Sequence, residues 1–211
     1  MKHVVLLGDS VFDNGAYLDG GPDVFTQLRQ RLPFGWRASC KAVDGSVVND
    51  IPGQLERIPM DATHLVISVG GNDALRYSVV LDAPSRSVSD SLERLADIRQ
   101  QFLLEYRSML RTVLQRGLPA AVCTIYDPRY PDSVQRRIAI TALSIMNDCI
   151  IREAVGRGVP LLDLRDVCDE EADFANPIEP SVHGGSKIAE AIAAALSRRD
   201  LVRPGCRILT R

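Results

Sequence analysis

Five short apolar runs, each followed by a helical pattern, limit what this chain can fold into more than any other feature. Residues 3–7, 37–43, 64–69, 120–125 and 159–164 are of strand length and mostly rich in Val, Ile and Leu, and they read as buried strands. Helical periodicity fills the intervals at 23–32, 48–58, 88–116 and 133–157, with a last helix after Gly185. In the long segment Leu92, Leu95, Ile98, Phe102, Leu103, Tyr106, Met109, Leu110 and Val113 recur at three- and four-residue steps and draw one apolar stripe. Two helices end in Arg-Gly-x-Pro, at 116–119 and 157–160, where a glycine can take a left-handed cap and a proline stops the helix. Five strand–helix alternations predict an α/β fold of three layers, α/β/α, around a five-stranded parallel sheet with right-handed crossovers.

The 211 residues are 45% hydrophobic and 25% charged, which suits one globular domain across 1–211, with the tail 201–211 unplaced. A formal net charge of −2, with basic residues spread along the chain, excludes the basic footprint of nucleic-acid binding. The first apolar run is too short for a signal-peptide core or a membrane span. Cysteines at 40, 123, 149, 168 and 206 are odd in number and irregular in spacing, and read as reduced thiols in a cytoplasmic protein. Oligomeric state leaves no trace in the sequence.

In an open parallel sheet, ligands bind outside the carboxyl ends of the strands, so the residues just after each run are the informative ones. They are Gly8-Asp9-Ser10, Asp44-Gly45-Ser46, Gly70-Gly71-Asn72-Asp73, Tyr126-Asp127-Pro128-Arg129 and a long loop through 168–185. Small, polar and glycine-rich groups converge on one edge. A serine at a strand-to-helix turn presents its N–H where a helix N-terminus favours negative charge. Gly45 lets the backbone approach a bound acyl group, and Asn72 can donate to an oxyanion without adding charge.

"LLGDSVFDN", Gly45 in "VDGSVVND" and "SVGGND" resemble, in order and spacing, the first three blocks of the SGNH, or GDSL-type, hydrolases. The resemblance implies a flavodoxin-like sheet, an ester or acylated small-molecule substrate and no cofactor or metal. It implies Ser10 as nucleophile, with the Ser10 N–H, the Gly45 N–H and the Asn72 side chain as oxyanion donors. Ser10, Gly45 and Asn72 are expected together at the ends of the first three strands, with the Ser10 and Asn72 side chains facing one cleft.

The family's fourth block is an Asp-x-x-His pair, followed by Pro-Ser, in which the His is the base and the Asp orients it. Aligned on Pro180-Ser181, Asn176 stands where that Asp is expected and Glu179 where the His is expected. Glu179 would need burial to raise its pKa before it could serve as a base. His183, in the first turn of the last helix, is the other candidate base. His3 and His64 open strands at the opposite edge. Asp9, Asp13, Asp73 and Glu179, with Asn72, could form an oxygen-ligand rim for a divalent cation. Arg76, Arg86, Arg129 and Arg165 could meet an anionic group. Three readings follow: a serine esterase or acyltransferase with an atypical or missing base, a binding protein that keeps the pocket and holds an acyl or carbohydrate ligand without turnover, and a metal-assisted hydrolase using the acidic rim. The loops at 76–90 and 126–132 would set acyl length and leaving group.

Overall fold

The computed structural model describes residues 1–198 and 208–209. Six parallel strands form one sheet in the order β2-β1-β3-β4-β5-β6. They are β1 (Lys2–Gly8), β2 (Trp36–Cys40), β3 (His64–Ser68), β4 (Ala120–Cys123), β5 (Leu161–Leu162) and β6 (Ile208–Leu209). The sixth strand corrects the expected five. It comes from the tail left unplaced, and the Asp163 N–H donates to Leu209 C=O at 3.0 Å, which gives the edge of β5 a partner. Residues 201–207, with Cys206, lie outside the described residues.

The helices are α1 (Val24–Arg31), α2 (Ile51–Leu55), α3 (Gly71–Tyr77), α4 (Val88–Leu114), α5 (Ser133–Arg157), α6 (Leu164–Val167) and α7 (Val182–Ser197). Alternate side chains of the strands feed two cores, as period-2 geometry requires. Val4, Leu6, Val66 and Ala121 pack with α1, α6 and α7, whereas Val5, Leu7, Leu65, Ile67 and Val122 pack with α2, α4 and α5. Among the described residues no helix is long and apolar enough to cross a membrane.

Local chemistry sets the boundaries. The Asp132 carboxylate accepts from the Val134 and Gln135 N–H groups, and α5 ends on Gly158 at φ +67°, so its limits match the sequence reading. The expected helix at 48–58 is instead a 3-10 turn (Val48–Asp50) running into α2, with Pro52 in its first turn. Strand β5 is shorter than 159–164 because Pro160 has no N–H to give a ladder and Asp163 already caps α6. Helix α7 starts before Gly185, because the Ser181 hydroxyl accepts from the His183 and Gly184 N–H groups. Cys40, Cys123 and Cys149 are free thiols, and burial pushes Cys40 up to about 12.

Candidate active site

Strand β1 ends on Gly8 at φ +136°, and a Cβ there would come within 1.8 Å of the Ser68 carbonyl oxygen on β3. Only glycine lets the two strand ends approach so closely, and this approach delivers Asp9 and Ser10 to the carboxyl edge. No helix follows Ser10 directly: the Phe12 and Asp13 N–H groups return to Asp9 C=O in a turn, and α1 begins only at Val24. The expected helix N-terminus behind the Ser10 N–H is therefore replaced by a turn. That N–H has no acceptor among the described residues.

Past the end of β2, the Gly8 N–H lacks a strand partner on that side, and Gln54 of α2 supplies one. Gln54 Oε1 accepts from Gly8 N at 2.8 Å, while its Nε2 donates to Gly8 C=O at 2.8 Å and to Ser46 Oγ at 3.2 Å. One buried amide thus ties the end of β1 to the loop carrying Gly45. Gly45 has φ +78° and is exposed, and Asn72 Nδ2 donates to Ser46 C=O at 3.0 Å. Asn72 lies in the first turn of α3, a helix that the two preceding glycines concealed in the sequence. Ser10 and Asn72 line one cavity of about 550 Å³; neither Gly45 nor Ser46 is in its wall, and their loop meets it only through the Asn72 bond to Ser46 C=O.

Glu179 completes the arrangement. Ser10 Oγ donates to Glu179 Oε1 at 3.0 Å, and Glu179 is buried with Oε2 unpartnered among the described residues. Burial pushes its carboxyl up to about 7; the Ser10 hydrogen bond opposes this shift and the Asp44 charge adds to it. A hydroxyl donating to a carboxylate that titrates near neutrality is placed to lose its proton.

The Glu179 loop is held from several directions. Asn176 Oδ1 accepts from the Ile178 and Glu179 N–H groups, both at 3.0 Å, and Ala175 N donates to Glu179 C=O at 2.9 Å. The Tyr126 hydroxyl donates to Ile178 C=O at 2.6 Å, and the buried Asn14 Nδ2 donates to Pro180 C=O at 3.0 Å. Arg129 braces it from outside: its N–H donates to Pro177 C=O at 2.7 Å, and its guanidinium lies 5.5 Å from the Phe174 ring centroid.

The acidic side chains have separate tasks. Asp9 Oδ1 accepts from Val11 N, Asp13 Oδ2 from Asp44 N, and both Asp73 oxygens from Val48 N. Burial, with the charges of Glu179 and Asp73 adding, pushes Asp9 up to about 8, so it holds its proton far more tightly than an ordinary aspartate. Burial also lifts Asp73 to about 6. These groups do not converge as a ligand set: among the described residues only Glu170, Asp173 and His183 bring metal-ligating atoms within 4.8 Å of one another. His183 Nε2 is 3.7 Å from Asp173 Oδ1 and 3.8 Å from Glu170 Oε2, and it does not line the Ser10 cavity. His3 bonds Asp61 and Ser39, and His64 bonds Thr63, all at the opposite edge. Arg165 pairs with Asp163 and Arg86 with Asp90. Gln54 and Asn14 are residues of the site that the sequence did not reveal; for Gln54 the available signal was an amide among apolar neighbours, in Ile51-Pro52-Gly53-Gln54-Leu55, and Asn14, between Asp13 and Gly15, reads as a turn.

The fold is shared with solved structures at low identity. An extracellular lipase from Streptomyces rimosus superposes with TM-score 0.63 at 17% identity, covering 94% of this chain and 99% of the lipase. A phospholipase A1 from Streptomyces albidoflavus gives 0.64 at 14% identity over 93% and 98% of the two chains. Est24, a carbohydrate acetylesterase from Sinorhizobium meliloti, gives 0.63 at 13% identity over 94% and 100%. No curated protein sequence matches the chain significantly. Residues 6–191, which contain both the Gly8-Asp9-Ser10 turn and the Glu179 loop, match the GDSL-like lipase/acylhydrolase family, and the chain belongs to that family.

Proposed function

We propose that this protein is a serine ester hydrolase in which Glu179 accepts the Ser10 proton directly, taking the place of the family's histidine. The observation that carries this is the 3.0 Å hydrogen bond from Ser10 Oγ to a buried carboxylate raised to about 7. An ordinary glutamate near ~4.3 would be a weak base for a hydroxyl, and burial removes much of that deficit. Asn176, where the family has an aspartate, orients the base through the backbone of its own loop rather than through an imidazole.

As Oγ attacks the ester carbonyl carbon, its proton passes to Glu179 Oε1. The carbonyl oxygen becomes an oxyanion; in this reading the Ser10 N–H and the Asn72 Nδ2 hydrogen not bonded to Ser46 stabilise it from the cavity wall, and the Gly45 N–H joins them only if its loop moves inward. The protonated Glu179 then returns the proton to the departing alcohol, which leaves an acyl-serine. Glu179 then takes a proton from a water that attacks that ester and returns it to Ser10 Oγ as the acyl bond breaks, releasing the acid and restoring the hydroxyl.

A fluorophosphonate probe tests the assignment without a known substrate. Intact-mass and peptide analysis should show one adduct, on Ser10, absent in Ser10→Ala, slowed strongly in Glu179→Gln and retained in His183→Ala. Labelling that persists in Ser10→Ala or disappears in His183→Ala would overturn it.

A further inference from the structure

Helices α4 and α5 are far longer than the strands they cover, and the excess is all at one end. Phe102 lies at the end of β3, since a Cβ on Gly70 would meet Phe102 Cζ at 3.3 Å. Asn147 lies at the end of β4, where its amide bonds both the N–H and the C=O of Ile125 at 2.8 Å. Helix residues 88–101 and 133–146 therefore overhang the carboxyl edge, each by about 14 residues, roughly 20 Å of helix. Arg99–Asp148 and Arg107–Glu153 ion pairs hold the two helices side by side.

The overhang leaves apolar side chains with no sheet to cover them. The stripe of α4 continues through Leu95 and Ile98 beyond the core, and α5 presents Ile138, Ala142 and Leu143. With Leu81 these wall the cavity that opens from Ser10, Asn72 and Glu179, and no Lys, Arg or His is among its lining residues. The apolar character persists at the mouth, where Val134 of the wall is 52% exposed, and outside it, where Val79 is 76% exposed and Val88 78%. Along α5, inward of the half-exposed Val134 at the mouth, the wall runs from Gln135 to Met146, roughly 16 Å.

Building on the proposed hydrolysis at Ser10, we infer that this overhang is an acyl-chain channel, and that the substrate is a neutral ester of a straight acyl chain of about eight to twelve carbons. With a carbon–carbon bond of about 1.52 Å, an extended chain advances about 1.25 Å per carbon, so roughly 16 Å accommodates about twelve. At about 30 Å³ per methylene, close to the volume share of one water, twelve carbons take about 360 Å³ and fit the cavity. The cavity wall holds Asp82 and Asp132 and no basic group, so a phosphate-bearing leaving group finds no cation within it.

The test is kcat/KM for p-nitrophenyl esters from acetate to palmitate, with decanoyl-coenzyme A as the anionic donor. Each methylene from butyrate to about decanoate should raise kcat/KM about threefold to fourfold, the ~0.8 kcal/mol of one buried CH₂, before the series flattens. The neutral decanoate ester should be preferred over decanoyl-coenzyme A at least about tenfold. Ala142→Trp should move the optimum to shorter chains, cutting the decanoate/butyrate ratio at least about tenfold. Binding is read separately on Ser10→Ala, where 1-alkanols should displace Nile red with affinity rising to about decanol. Preference for acetate, parity with the coenzyme A thioester, or alkanol displacement independent of chain length would overturn the channel while leaving hydrolysis standing. Chain-length-dependent displacement with no Ser10-dependent turnover of any ester would support the channel and defeat the hydrolase reading.

Discussion

Replacing Gln54 by leucine removes a buried side chain that fastens the end of β1, just before Ser10, to the loop carrying Gly45. Its amide makes hydrogen bonds at 2.8, 2.8 and 3.2 Å, to Gly8 N–H, Gly8 C=O and Ser46 Oγ, from a position only 1% exposed. Leucine fills similar space but leaves Gly8 N–H buried and unpaired, a cost of about 1–3 kcal/mol. Gly8 C=O keeps the Val43 N–H at 3.0 Å, so its loss is smaller. With the Ser46 bond included, a loss of about 2–4 kcal/mol is expected in urea unfolding. Because Ser10 follows Gly8 by two residues and Asn72 is anchored on Ser46, kcat should fall by about ten- to a hundredfold while KM changes little, as expected for misplacement on the order of 1 Å. Gln54→Glu gives a built-in control. As a neutral acid it can still accept from Gly8 N–H and donate once, but as a carboxylate it faces Gly8 C=O. Its pKa is raised in the folded state, so its contribution is present at low pH and lost as pH rises: the variant should approach wild type near pH 5 and the leucine variant near pH 8. A leucine variant within about 0.5 kcal/mol of wild type and with unchanged kcat would refute the reasoning.

Asn72→Ala should lower kcat by about 10²–10³ on any ester, the loss typical of one oxyanion donor, and steady-state kinetics at saturating substrate checks it. Asn176→Ala removes the acceptor of the Ile178 and Glu179 N–H groups; about 1–3 kcal/mol of stability should go, with kcat reduced and KM held, measured by urea unfolding and kinetics on one preparation. Asp9, Glu179 and Asp73 are raised to about 8, 7 and 6, so the folded protein binds protons more tightly than the unfolded chain, and stability should fall as pH climbs from about 4 towards 8. Asp9→Asn should flatten much of that slope in urea titrations at pH 5, 6.5 and 8.

The sequence made the strand–helix alternation, the Ser10, Gly45 and Asn72 blocks and the place of Glu179 legible, because each depends on local pattern or on spacing from a recognisable neighbour. Helix α5 has the same limits in both readings, since Asp132 and Gly158 are caps whose chemistry is local. Helix α3 was hidden by Gly70 and Gly71, which read as loop although Asn72 already lies on the helix. The sixth strand is two residues long and gains its meaning only from the edge of β5 that it covers. Gln54 and Asn14 were illegible for the same reason: their amides are spent on backbone groups 46 and 166 residues away. The apolar stripe of α4 is legible from Leu95 to Val113, whereas Leu92 is exposed; where the sheet ends beneath it, and hence where core gives way to cavity, is a property of the assembled fold.

The claim that Glu179 is the base meets its most direct test in the pH dependence of kcat/KM. For wild type, log kcat/KM should rise with unit slope and level off above an inflection near 7, since only the ionised carboxylate can take the Ser10 proton. Glu179→Gln preserves an acceptor for the Ser10 hydroxyl but cannot be protonated at that oxygen, so activity should drop about 10²–10⁴-fold and the inflection should vanish. A Glu179→Gln enzyme within threefold of wild type, or an inflection that instead disappears in His183→Ala, would contradict the account.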